Sequence, residues 1–152
     1  MIRLSLTVLV FALVVAGCGS SPKTVTKAEY QREVQRIGQD LTNAGSQLGQ
    51  SIDIATFNGN VDNLRDHLKA GAHDLHGLKP PANVQSANDR LATALGDFAD
   101  ELEPVKEARR QSIVKARDAL LKVSKSDAVR NARAASRELK AKGYDIGQFG
   151  SL

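Results

Sequence analysis

The chain contains no tryptophan and only one cysteine, and aromatic residues make up 4% of its 152 residues. Sheet-rich folds draw on aromatic and β-branched side chains, whereas the alanine, leucine, lysine, arginine and glutamine that are abundant here favour helices. A disulfide within the chain, a cysteine-based zinc ribbon and the attachment of a c-type haem each need at least two thiols, so a single cysteine excludes all three. The composition therefore predicts one small all-α domain.

Only one long apolar run occurs, from Leu4 to Val15, directly after a short basic start. It is too short to cross a bilayer as a permanent helix, which needs about 20 residues. A run of this length and position is typical of a signal peptide. It ends in Val-Ala-Gly-Cys at residues 15–18, which resembles the lipobox of bacterial lipoproteins.

The lipobox resemblance implies cleavage before Cys18 and attachment of diacylglycerol to its thiol. Two acyl chains hold a protein stably on a membrane, so the resemblance places the mature chain on the extracytoplasmic face of the cell membrane. The alternative is an ordinary secretory leader with an incidental cysteine. We expect residues 1–17 to be the cleaved signal peptide, 18–25 the lipidated cysteine with its tether, and 26–152 the helical domain. The tether after Cys18 reaches at most about 23 Å.

Apolar residues recur at steps of three and four along the remaining chain, which is the spacing of amphipathic helices. A capping-box pattern at Thr26 and Glu29 predicts a first helix over residues 27–57, ended by Asn58-Gly59. A second helix follows and ends at Lys79-Pro80-Pro81, because the residue before a proline leaves the α region.

The third predicted helix is the longest, over residues 83–123, and would measure about 60 Å at 1.5 Å per residue. Its apolar stripe keeps the same phase on both sides of Pro104, so we expect a kink there and no loop. Ser126 can cap a fourth helix over 127–142, and the tail over 144–149 should fold back on the others. These elements predict an antiparallel up-down bundle of three to four helices with one long kinked helix.

The segment from Leu75 to Leu91 has Lys79-Pro80-Pro81 near its start. It resembles a helix-Pro-Pro-helix junction found in small secreted or lipid-anchored helical proteins of actinobacteria. The resemblance implies a helical fold and an envelope location, and it transfers no active site.

Residues that could carry chemistry are few. His73 and His76 lie one turn apart on the second helix and are weak candidates for metal ligands, although solvated surface histidines are the simpler interpretation. The four carboxylates within residues 97–103 are either an acid–base site or the solvated face of the third helix. The sequence contains no catalytic or phosphate-binding motif. We therefore expect neither an enzyme nor a bound cofactor.

Charge is distributed unevenly along the chain. Residues 19–104 include 8 basic and 12 acidic residues, whereas residues 105–142 include 12 basic and 4 acidic ones, so the net charge changes from −4 to +8. The basic stretch is either a solvated face or a surface attracted to anionic lipid headgroups or wall polymers. Nucleic acid is not expected as a partner, because no aromatic residue is interleaved for base stacking. The candidate contact surface consists of Arg110, Arg117, Arg130, Arg133 and Arg137.

These observations favour a non-enzymatic helical interaction module tethered to a membrane, with lipid, wall polymer or an envelope protein as its partner. The alternative is a small ligand-binding or metal-binding lipoprotein that uses the histidines of the second helix. The first hypothesis depends on positive charge and the second on imidazole nitrogens. Charge reversal and metal titration therefore discriminate between them.

Overall fold

The computed structural model describes residues 24–51 and 53–151, and in this part of the chain all regular structure is helical, with no strand. The predicted all-α fold class is confirmed. The signal peptide, Cys18 and the first part of the tether lie outside the described residues. None of the described helices is long and apolar enough to span a bilayer. The α-helices are α1 (Lys27–Gly49), α2 (Ile54–Gly77), α3 (Gln85–Glu101), α4 (Glu103–Gln111), α5 (Ile113–Val123) and α6 (Asp127–Ala141), and short 3-10 helices cover Ala82–Val84 and Gly147–Ser151.

Four helices form the body of the described domain, in the spatial order α1, α2, α3, α6. The first three alternate in direction because short connections join them. Arg90, near the start of α3, forms an ion pair with Glu138, near the end of α6, so these two helices are also antiparallel. The C-terminal tail packs on both α1 and α6 and so connects the first helix of the row to the last.

The first helix begins where the sequence predicts. The Thr26 backbone N–H donates to Glu29 Oε2 at 2.7 Å, and the Glu29 N–H donates to the Thr26 hydroxyl oxygen at 3.2 Å. This reciprocal capping box satisfies two amide groups that the first turn of a helix otherwise leaves without partners.

The predicted end of the first helix at residue 57 is wrong. α1 ends at Gly49, and Asp53 caps α2 by accepting the Thr56 N–H at 2.8 Å. The predicted stop at Asn58-Gly59 lies inside α2. Asp53 provides a side-chain acceptor for the new helix, and a single glycine inside a helix costs only about 1 kcal/mol.

For the third helix, the predicted kink at Pro104 is confirmed, but the predicted continuation to residue 123 is wrong. Pro104 stands in the first turn of α4, where its missing N–H costs no hydrogen bond, and Leu102 before it keeps a helical φ of −79° and ψ of −18°. The chain therefore bends and continues. Ser112, however, is extended with φ −169° and ψ 161°, and its hydroxyl oxygen accepts the Lys115 N–H at 3.1 Å to start α5.

After this break α5 folds back on α4, so the two form a helical hairpin at the end of the bundle. Val105 of α4 and Ala116 and Val123 of α5 are buried. The predicted continuous helix of about 60 Å does not form, because the chain turns back at Ser112 and leaves part of the apolar stripe, including Ile113, exposed.

The fourth helix and the tail follow the sequence prediction closely. Ser126 accepts the Val129 N–H at 3.3 Å and caps α6, and Gly143 follows the helix with a φ of +78°. Tyr144 packs edge-on against Tyr30 of α1, with ring centroids 5.6 Å apart. Burial raises the pKa of the Tyr30 hydroxyl above its ordinary value. The tail is thus part of the core and closes the bundle.

Candidate functional site

A mostly apolar cleft of about 490 Å³ lies between α1 and α6. Its volume falls within the range of about 300–1,000 Å³ that small-molecule sites occupy. α1 packs closely on α2 along its other side, whereas it meets α6 largely through the tail. The cleft, called the α1–α6 cleft below, lies where the two helices stay apart.

Apolar side chains from every helix of the body line the α1–α6 cleft. Leu68 of α2 and Leu95 of α3 are almost fully buried beneath it, and Phe98 of α3 is partly buried. Leu41 of α1 is also only partly buried, and Ala132 of α6 lines the opposite wall. The site therefore offers a ligand a mostly hydrocarbon surface.

Small residues on the facing helices leave this space open. A Cβ atom built on Gly45, which lines the cleft, would have no neighbouring atom within 4 Å. At Gly38, two turns earlier, the same atom would lie 2.9 Å from Phe149 Cδ2, because the tail has already filled that position. Phe149 therefore closes one end of the cleft.

The hydroxyl groups along the α1 wall are used within the helix. Thr42 donates its hydroxyl hydrogen to the Gly38 carbonyl, and Ser46 donates to the Thr42 carbonyl, each at 2.9 Å. A polar group of a ligand would thus find few free donors inside the cleft, and it would favour the edge.

Arg133 stands at that edge. It is exposed and lines the cleft, and it has neither an ion pair nor a hydrogen bond within the described residues. No aspartate or glutamate of the described residues lines this cleft. The edge is therefore positively charged and is not neutralised locally.

The opposite side of α6 is electrostatically different. Glu138 accepts from Lys142 at 2.8 Å and pairs with Arg90, and these two cations hold the pKa of the Glu138 carboxyl below its ordinary value. Positive charge is compensated on this side of the helix. Arg133 has no such carboxylate.

The structure places three of the five predicted contact arginines together. Arg130, Arg133 and Arg137 are exposed and recur at steps of three and four on α6, so they share one face, called the arginine row below. Arg130 pairs with Asp127 on its own helix, and no partner contacts Arg137 among the described residues. The row is thus only slightly neutralised.

The other two arginines lie on the α4–α5 hairpin. Arg110 pairs with Glu107 at 2.7 Å, three residues away on α4. Arg117 on α5 is exposed, near the exposed apolar residues Ile113 and Leu121. The predicted basic surface is therefore divided between α6 and the α4–α5 hairpin.

The histidine candidates do not converge on other ligands. His73 and His76 are both exposed, and Asp74 between them is held by Arg36 of α1 at 2.6 Å. Across the part of the chain that the structure describes, no group of three or more histidine, cysteine or acidic side chains could hold a metal ion.

Two of the four acidic candidates within residues 97–103 pair with α2. Asp100 faces Lys69 at 3.3 Å, and Glu103 forms an ion pair with Arg65 at 2.5 Å. These contacts are ion pairs between helices, and they join α2 to the α3–α4 segment.

Sequence reasoning found the arginine row but missed the α1–α6 cleft. The available signal is the series of small residues on α1 and α6, whose spacing alone does not indicate a cavity. The chain matches no protein-family model, and neither the curated proteins nor the solved structures yielded a match.

Proposed function

We propose that the protein is a cell-envelope lipoprotein, held on the extracytoplasmic face of the membrane by lipid on Cys18, whose helical domain is a non-enzymatic binding module. Its contact surface is the arginine row, which is attracted to anionic lipid headgroups or anionic wall polymers. The lipobox at residues 15–18 supports the anchor, and the row supports the contact surface.

One observation carries the proposed contact surface: the row holds three guanidinium groups with one local carboxylate. Arg130 and Asp127 are both well exposed, so their pair contributes little and competes weakly with an external anion. Arg133 and Arg137 have no partner within the described residues. Basic residues near an anionic membrane contribute about 1 kcal/mol each.

The position of the row in the fold also favours a membrane contact. The Val25 N–H, at the start of the described chain, donates to the Lys79 carbonyl at 2.9 Å. The Lys142 ammonium, just after α6, donates to the Asn83 carbonyl in the same connection at 2.6 Å. Val25, the last residue of the tether, and the end of α6 therefore lie at one end of the bundle, and Arg130 is about 16 Å along α6 from that end.

Metabolic labelling with palmitate tests the anchor. We expect the wild-type chain to incorporate the label and the Cys18→Ser chain to incorporate none, because no other thiol is present to accept diacylglycerol. Equal labelling of both chains would refute the lipoprotein assignment.

Vesicle co-sedimentation tests the contact surface. The mature chain, residues 18–152, carries Cys18→Ser in every arm, and the vesicles contain phosphatidylcholine with or without phosphatidylglycerol. Glutamate at Arg130, Arg133 and Arg137 should weaken binding to the anionic vesicles by about hundredfold or more. High salt should weaken the wild type in the same direction.

A matched control has glutamate at Arg110, Lys115 and Arg117 on the hairpin, which changes the net charge by the same amount. We expect a much smaller loss for this variant. An equal loss in both triple variants would mean that net charge alone drives binding. No loss in either would rule out the electrostatic contact.

A further inference from the structure

We infer that the α1–α6 cleft binds a single-chain amphipathic anion, with its hydrocarbon chain between the two helices and its anionic headgroup at Arg133. The ligand class is a fatty acid or another lipid with one accessible acyl chain and a carboxylate or phosphate head. This inference goes beyond the arginine row as a surface, because it concerns an interior site that only Arg133 shares with the row.

The hydrocarbon part of the inference depends on the lining of the cleft. Leu41 and Phe98 are only partly buried although they pack against the hydrophobic core. Each methylene group that covers such a surface favours binding by leaving water. Leu68 and Leu95 close the base of the cleft, so a chain inserted there would meet apolar atoms on several sides.

The shape of the cleft favours a linear chain. The residues of α1 that line it run from Gly38 to Ser46, and this stretch of helix is about 12 Å long. Phe149 closes the Gly38 end, and the empty position beside Gly45 leaves space further along α1. An elongated and mostly apolar space accommodates an extended acyl chain.

The charge at the edge selects the headgroup. Arg133 is exposed, lines the cleft and lacks a carboxylate partner among the described residues. A guanidinium group binds carboxylates and phosphates through two parallel hydrogen bonds. Since the Thr42 and Ser46 hydroxyls already donate within α1, the headgroup remains at the edge while the chain enters the cleft.

The first test measures binding of dodecanoate, below its micelle concentration, by equilibrium dialysis against the mature chain, residues 18–152, with Cys18→Ser. Gly45→Leu places a side chain into the open space and should weaken binding by at least about tenfold. Gly59→Leu is the matched control, because Gly59 is an exposed helical glycine outside the cleft whose added Cβ also meets nothing within 4 Å. We expect this control to bind about as the wild type does.

The second test distinguishes the contribution of the ligand's anionic headgroup from that of its hydrocarbon chain. Arg133→Gln should weaken dodecanoate binding by about tenfold and leave dodecanol binding unchanged, since only the carboxylate interacts with the charge. Arg137→Gln, on the same face but outside the cleft, should affect neither ligand. Circular dichroism melting identifies any variant that has lost its fold, and the Arg133 comparison remains decisive if Gly45→Leu does not fold.

Several outcomes would overturn the inference. These are no dodecanoate binding by the folded wild type, equal binding by the two leucine variants, or equal binding of acid and alcohol with no effect of Arg133→Gln. A dimer in sedimentation velocity that Gly45→Leu abolishes would assign the cleft to a second copy of the chain. Vesicle binding should be unchanged in Gly45→Leu. If dodecanoate does not bind, the proposed contact of the arginine row with membranes is unaffected. If vesicles do not bind, the proposed cleft ligand is likewise unaffected.

Discussion

The two sides of α1 are built in opposite ways. Towards α2 the helices touch: a Cβ atom added to Gly71 would lie 2.7 Å from Ile37 Cγ2, so the missing side chain is what permits the approach. Towards α6 the helices stay apart, and a Cβ atom added to Gly45 would meet nothing. Glycine is thus found both at a tight seam, the contact between α1 and α2, and at an open seam, the gap between α1 and α6.

This difference shows how stability is distributed in the bundle. Atoms that line an open cleft lack the dispersion contacts that a packed seam provides, so the α1–α6 side contributes less to folding. The tail partly compensates, because Phe149 is 2% exposed and covers Gly38. We therefore expect substitutions in the tail and at the tight seam to lower the free energy of unfolding, and substitutions at the open seam to be tolerated.

The largest effect is expected at the tail. Phe149→Ala removes a buried aromatic ring between α1 and α6 and should lower the free energy of unfolding by about 3–5 kcal/mol. Urea denaturation followed by circular dichroism measures it. Gln148→Ala is the control, because Gln148 is exposed and donates one hydrogen bond, to Gln39 at 3.2 Å. A loss in Phe149→Ala no larger than that of the control would show that the tail does not hold this side together.

A smaller loss is expected at the tight seam. Gly71→Ala should destabilise the fold by about 1–2 kcal/mol, since overpacking against Ile37 outweighs the gain in helix propensity. Thermal and urea melts measure the change. Ile37→Leu removes the branch at Cβ, so the double variant should recover part of the loss in a double-mutant cycle. A Gly71→Ala chain as stable as the wild type would mean that α1 and α2 are not in tight contact.

The helix starts could be predicted because their signals are local. Thr26 and Ser126 each form their cap within three residues, so short sequence patterns contain the whole interaction. The kink at Pro104 was predictable for the same reason, since the cost of a proline depends on its place in the first turn.

The helix ends were harder to predict because each depends on whether a residue further along the chain starts a new helix. A periodic apolar stripe looks the same in one long helix and in two helices that remain in phase. Asp53 and Ser112 decide the matter by offering caps, and Val105 and Ala116 are buried on the two sides of the second break. At both places a side-chain cap outweighs the continuing apolar stripe.

Of the candidate site, the arginine row could be predicted from the sequence and the α1–α6 cleft could not. The steps between Arg130, Arg133 and Arg137 already place them on one helical face, so the arginine row followed from spacing. The cleft did not, because an empty volume is a property of several elements together. Gly45 and Gly71 are identical in the sequence, and only the fold distinguishes the open position from the packed one.

The smallest expected effect also tests the comparison most directly, because it repeats the glycine-to-alanine substitution of Gly71 on the other side of α1. Gly45→Ala should raise the free energy of unfolding by about 0.5–1 kcal/mol, since the added methyl improves helix propensity and meets no neighbour. The same melts that show a loss for Gly71→Ala should show this gain. Opposite signs require that α1 has one closed and one open side, whereas a loss at Gly45 would mean that α6 closes on α1 in solution and that no cleft is present.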